Sequence, residues 1–158
     1  MKRSTVVEII SSLLVLLFVY SALSKLFDYS TFKLQLSKSP YITDFAFLIA
    51  WALPVVELLI AVLLFFNRTR LAALYGSLFL MTMFTAYIYS MLNFSYYIPC
   101  SCGGVLSKMT WGQHLWFNIF FVAISITGIL LQVRLKTQPR PVVDTASTEL
   151  TYSQLARL

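Results

Sequence analysis

Four apolar runs, each long enough to cross a bilayer, take up most of the chain: about Thr5 to Phe27, about Phe45 to Phe66, about Leu71 to Leu92 and about Gln113 to Val133. A helix rises about 1.5 Å per residue, so roughly 20 residues cross a hydrocarbon core about 30 Å thick. Lipid offers no partner to a free backbone amide, which leaves helices or a closed barrel, and four spans are too few strands for a barrel. The expected fold is therefore all-α, a polytopic membrane protein forming a four-transmembrane-helix bundle. Charged residues make up only 11% of the 158, where soluble domains carry about a quarter. Residues 1–133 are read as the transmembrane domain and 134–158 as a polar cytoplasmic tail through Pro139-Arg140-Pro141. No length remains for a separate soluble enzyme domain.

The formal charge of +6 is topology information here rather than a sign of nucleic acid, which is not expected as a partner. Lys2, Arg3, Arg68, Arg70, Arg134, Lys136, Arg140 and Arg157 fall on one side, and Lys25, Lys33, Lys38 and Lys108 on the other. The excess places both termini in the cytoplasm and the loop after the third span outside. The first run is too long for a signal-peptide core and ends in Lys25-Leu-Phe-Asp rather than a small-residue cleavage site, so it is kept as a mature span. Between the first two spans, Tyr29, Phe32 and Leu36 recur at helical spacing among charged residues, and Pro40 closes the run. That pattern predicts a short amphipathic helix at the outer interface.

The only two cysteines stand together in the outer loop, Pro99-Cys100-Ser101-Cys102-Gly103-Gly104. An oxidising compartment permits thiol–disulfide chemistry there. A bridge across one intervening residue closes a small strained ring, and strain makes a disulfide easily reduced and so a competent oxidant of another dithiol. Lys108 is the nearest cation to stabilise a thiolate. Three readings stay open: a redox-active or partner-engaging pair, a static staple, and a copper site drawing on Cys100, Cys102, Met109 and His114. The spacing matches no strong metal pattern, and no metal is expected.

Polar groups inside spans are expensive and therefore candidates for function. Glu57 lies about 12 residues into the second span, near midplane by the helical rise, and Pro54 just before it frees backbone carbonyls. A hydrogen-bonded packing role and a proton relay are equally good readings of Glu57. Lys25, near the outer end of the first span with Tyr20, Ser21 and Ser24, reads with Glu57 and Asn118 as an intramembrane polar group or proton relay, or else as a lysine that snorkels to the head groups. His114 opens the fourth span on the cysteine side and Asn118 follows one turn below. His114 reads either as an interfacial hydrogen-bonder or as a proton acceptor and thiolate partner near the loop. Trp111 and Trp116 fit an interfacial aromatic belt, and Met81 and Met83 fit packing. Together, Cys100, Cys102, His114, Asn118 and Glu57 trace a polar column from the outer surface inward.

An ordered set of segments resembles the MauE branch of the DoxX-like small membrane proteins over about Phe18 to Leu130. It comprises Tyr20-Ser-Ala-Leu-Ser-Lys25, Leu53-Pro-Val-Val-Glu57-Leu, Cys100-Ser-Cys102-Gly-Gly, then His114 and Asn118. The resemblance implies a bacterial inner-membrane four-helix bundle associated with periplasmic thiol–disulfide chemistry. The named member of the family is linked to formation or processing of disulfides in methylamine dehydrogenase. Family loops often read Cys-x-Cys-Phe-Gly, and Gly103 replaces the aromatic here. Wider relatives include the membrane subunit of a quinone-linked sulfur oxidoreductase, which makes a quinone the candidate cofactor. Two functions follow as expectations. In one, Cys100 and Cys102, assisted by His114, exchange disulfides with an extracytoplasmic dithiol or thioredoxin-like protein. In the other, the chain is a non-catalytic subunit or assembly factor that docks other membrane-complex subunits through the cysteine loop.

Overall fold

The computed structural model describes residues 3–38, 43–94 and 110–137. Five helices follow in chain order: α1 (Arg3–Phe27), α2 (Tyr29–Ser37), α3 (Ala46–Phe65), α4 (Arg70–Phe94) and α5 (Trp111–Thr137). A single turn of 3₁₀ helix, Thr43–Phe45, leads into α3. Helices α1, α3, α4 and α5 are long and apolar enough to cross a membrane. Among the described residues there is no strand, so the chain is an all-α, four-span membrane bundle.

The helices meet in the cyclic order α1, α3, α4, α5, with the principal packing between α1 and α3 and between α4 and α5. Leu14, Phe18, Leu64 and Leu74 are fully or almost fully buried at the bundle axis, while Leu16, Phe65, Phe79 and Phe120 point outward. Outward apolar side chains suit a lipid solvent, and helix association there relies on close packing of small residues rather than on hydrophobic burial. Gly128 on α5 shows this. A Cβ at that position would lie 3.0 Å from Ile10 Cγ2 of α1 and 3.2 Å from Leu74 Cδ2 of α4. At this level α5 packs closely against both α1 and α4.

Helix ends are fixed locally. Thr69 Oγ1 donates to the Leu63 carbonyl at 2.7 Å and Arg70 Nε to the Leu64 carbonyl at 3.3 Å, satisfying the last acceptors of α3 before α4 begins. At the start of α5, the Gln113 amide donates to Thr110 Oγ1 and the Thr110 amide to Gln113 Oε1, a reciprocal capping box. This cap starts α5 at Trp111, earlier than the apolar run suggests, and the helix continues through Thr137 rather than stopping near Val133. Helix α2 has the expected pattern: Phe32 and Leu36 are buried against Ala46 and Ala50 of α3, and Tyr29 packs its ring 5.5 Å from Trp51. Residues 138–158 of the expected tail, Pro40, and the loop with Cys100, Cys102, Lys108 and Met109 lie outside the described residues.

Candidate functional site

Most polar side chains inside the spans are satisfied by their own helix. Ser77 donates to the Ala73 carbonyl at 2.8 Å, Ser125 to Phe121 at 2.9 Å and Asn118 Nδ2 to His114 at 2.9 Å. Such back-bonds remove the cost of a polar group in lipid without asking for a function. Lys25 and Glu57 are different, because they are satisfied across helices. Lys25 Nζ lies 2.7 Å from Glu57 Oε1 and 3.0 Å from Oε2, with exposures of 4% and 0% for the two residues. Ser21, one turn before Lys25, donates to Glu57 Oε1 at 3.1 Å and accepts from Lys25 Nζ, closing a three-residue cluster between α1 and α3. The rings of Phe32 from α2 and Phe84 from α4 lie 5.9 and 5.7 Å from the ammonium, adding cation–π contact to the enclosure.

Lys25 thus lies inside the bundle and does not snorkel to the head groups. Every Cα–Cβ bond of a helix tilts toward its N-terminus. A lysine two residues from the C-terminal end of α1 thus starts out aimed back into the bundle, at the level of Ser21. Glu57 supplies the counter-charge there, so the side chain stays inside.

The cluster forms one wall of a cavity of about 330 Å³. Leu53 of α3, Phe84 and Ile88 of α4, and Phe117 of α5 supply apolar walls, and α2 contributes Phe32, Gln35 and Leu36. His114 and Asn118 line it from α5. His114 is 8% exposed. Its ring lies against Trp111, centroids 6.4 Å apart and planes 23° apart, and its imidazole hydrogen-bonds none of the described residues. Trp111 is half-buried in the cavity wall, whereas Trp116 stands on the outside. The structure thus brings Glu57, Lys25, His114 and Asn118 to one space. Ser21, Phe84 and Met81 join them without having been singled out for it. Ser21 was legible as the residue one helical turn before Lys25, and Thr110-x-x-Gln113 as the cap that sets the register of His114. No group of three or more His, Cys, Asp or Glu side chains gathers as a metal site among the described residues.

The model of the family described as methylamine utilisation protein MauE matches residues 3–131. The chain belongs to the MauE family. The match takes in α1, α3 and α4, α5 as far as residue 131, the cavity and the segment bearing Cys100 and Cys102, so the expected MauE kinship holds over most of the sequence. No curated protein and no solved structure matches this MauE-family chain significantly.

Proposed function

We propose that this MauE-family membrane protein serves extracytoplasmic thiol–disulfide metabolism, exchanging disulfides through Cys100 and Cys102 with a dithiol partner of thioredoxin-like type. One observation carries the reading. The segment bearing both cysteines joins the end of α4 to the start of α5, and these helices with α1, α2 and α3 enclose the cavity lined by Lys25, Glu57 and His114. In the exchange, a partner thiolate attacks one sulfur of a Cys100–Cys102 disulfide. The S–S bond breaks, a mixed disulfide forms, and the departing sulfur takes a proton. The partner's second thiolate then attacks the mixed disulfide, leaving the partner oxidised by two electrons and Cys100 and Cys102 as thiols. His114, at the cysteine end of α5, is the proton carrier in this scheme.

The setting we propose is a bacterial inner membrane with residues 1–133 as the membrane domain, 134–158 as a cytoplasmic tail and the cysteine loop outside. Burial of Lys25 against Glu57 strengthens the charge asymmetry, since only Lys33, Lys38 and Lys108 then remain on the outer side against eight Lys and Arg on the inner side.

A second reading is a non-catalytic subunit or assembly factor with the cysteine loop as a docking element. It is favoured by the enclosure of Lys25 and Glu57 under Phe32 and Phe84, as befits a tie between α1 and α3. Acid quenching and alkylation of cells carrying Cys100→Ser or Cys102→Ser separates the two. Exchange requires that at least one variant traps a mixed disulfide with a partner. Neither variant trapping one, with normal complex assembly and full cellular function of the double serine variant, would leave the subunit reading.

A further inference from the structure

We propose that the groove along α1, beside the end of α3 and the start of α4, binds one phospholipid with an ethanolamine head group, its phosphate at Arg70 and its ammonium at Glu8. The groove has a volume of about 830 Å³. Leu16 and Phe65 in its wall are 70% and 77% exposed, so it opens outward, and the outside of a spanning bundle is lipid. It shares no lining residue with the cavity around Lys25 and Glu57.

The polar side chains of this groove lack partners. Glu8 and Arg70 bring opposite charges to one wall without pairing, since the one ion pair among the described residues is Lys25–Glu57. Glu8 is exposed and accepts a bond of 3.4 Å from Ser4 Oγ. Arg70 gives Nε to the Leu64 carbonyl, and its terminal nitrogens bond none of the described residues. Charged groups on spanning helices are expensive unless a counter-charge meets them. Ser11, also in the wall, is 4% exposed, and its hydroxyl has no partner among the described residues; buried polar groups are rarely left so.

Their order along α1 matches an amphiphile. Glu8 comes first, Ser11 and Ser12 follow about one turn on, and Val15, Leu16 and Val19 continue the wall. Charge, hydroxyl and hydrocarbon correspond to head group, ester carbonyls and acyl chain. Val19 stands about 16 Å along the axis from Glu8 by the helical rise, close to half of a hydrocarbon core about 30 Å thick. The groove thus has the length of one leaflet. A guanidinium forks onto a phosphate, and a primary ammonium donates N–H bonds to a carboxylate. Choline has no N–H to donate, and an anionic glycerol head group brings no cation to Glu8. With the termini in the cytoplasm, as proposed above, the lipid belongs to the inner leaflet. The site asks nothing of Cys100 and Cys102 and stands apart from disulfide exchange.

Native mass spectrometry of delipidated full-length protein, released from detergent micelles, measures adducts with palmitoyl-oleoyl phosphatidylethanolamine, phosphatidylglycerol and phosphatidylcholine, and with free phosphoethanolamine. The ethanolamine lipid is expected to bind at least fivefold more tightly than the other two, and free phosphoethanolamine to give no adduct, because the chain is part of the fit. Glu8→Gln is expected to erase the preference over phosphatidylcholine. Glu8→Lys is expected to turn the preference at least fivefold toward phosphatidylglycerol, a reversal that misfolding does not produce. Ser12→Trp, which fills the groove, is expected to weaken binding at least tenfold. Equal affinities for the three lipids in the parent, a parent preference for phosphatidylglycerol, or an unaltered preference in both Glu8 variants would overturn the site. So would free phosphoethanolamine binding as tightly as the lipid.

Discussion

Lys25, two residues from the end of α1, reaches Glu57 in the middle of α3 at 2.7 Å, and both are buried. Taking two charges out of water costs several kcal/mol per ion, and only close pairing with further hydrogen bonds offsets it. Ser21 provides those bonds. Lys25→Met or Glu57→Leu alone leaves an uncompensated buried group and is expected to cost about 3–5 kcal/mol. The double variant is expected to recover much of that loss, because both polar groups go together. Unfolding of the four proteins in mixed micelles gives the cycle; strictly additive losses would show that the two residues do not interact.

Burial of Lys25 also has a chemical signature. A membrane-impermeant amine reagent is expected to label the exposed Lys33 and Lys38 and to spare Lys25, which is 4% exposed. Peptide mapping after labelling decides it. Modification of Lys25 at a rate comparable to Lys33 would place its ammonium at the head groups instead.

The four spans and the short helix after α1 were legible because lipid reduces the problem to length and hydropathy, and Tyr29, Phe32 and Leu36 carry the period of a helix. Glu57, His114 and Asn118 were legible as polar residues in expensive places. What a linear reading missed was direction. Distance from the helix end does not place Lys25; the tilt of the Cα–Cβ bond and the partner on α3 decide where it goes. Convergence was equally hidden, since nothing in one helix reveals which face of α5 meets the cluster between α1 and α3.

Helix α2 is held on α3 by Phe32 and Leu36. Phe32→Ala with Leu36→Ala is expected to raise amide exchange across Tyr29–Ser37 by at least tenfold while the centres of α1, α3, α4 and α5 keep their protection. Such a change is local opening of a weakly held segment. Unaltered exchange in α2 would mean that other contacts hold it.

Gly128 sets the approach of α5 to α1 and α4. Gly128→Leu must displace Ile10 and Leu74, whose side chains already lie 3.0 and 3.2 Å from a Cβ built there, and overpacking of this kind costs about 1–3 kcal/mol. Gly128→Ala demands only a few tenths of an ångström from Ile10 Cγ2 and Leu74 Cδ2 and is expected to change stability by less than about 1 kcal/mol. Denaturation in micelles reads both, and a Leu variant as stable as the parent would show that the helices are not in close contact at this point.

The most direct measurement is the redox state of Cys100 and Cys102 in purified full-length protein, read as a gel shift with a bulky maleimide after acid quenching. Before treatment the pair is expected to resist the maleimide as a disulfide. On incubation with a reduced thioredoxin-type dithiol protein, two thiols per chain should become reactive, with one partner disulfide formed for each. A pair that stays closed to the partner, or that remains alkylatable even after treatment with an oxidant, would contradict disulfide exchange.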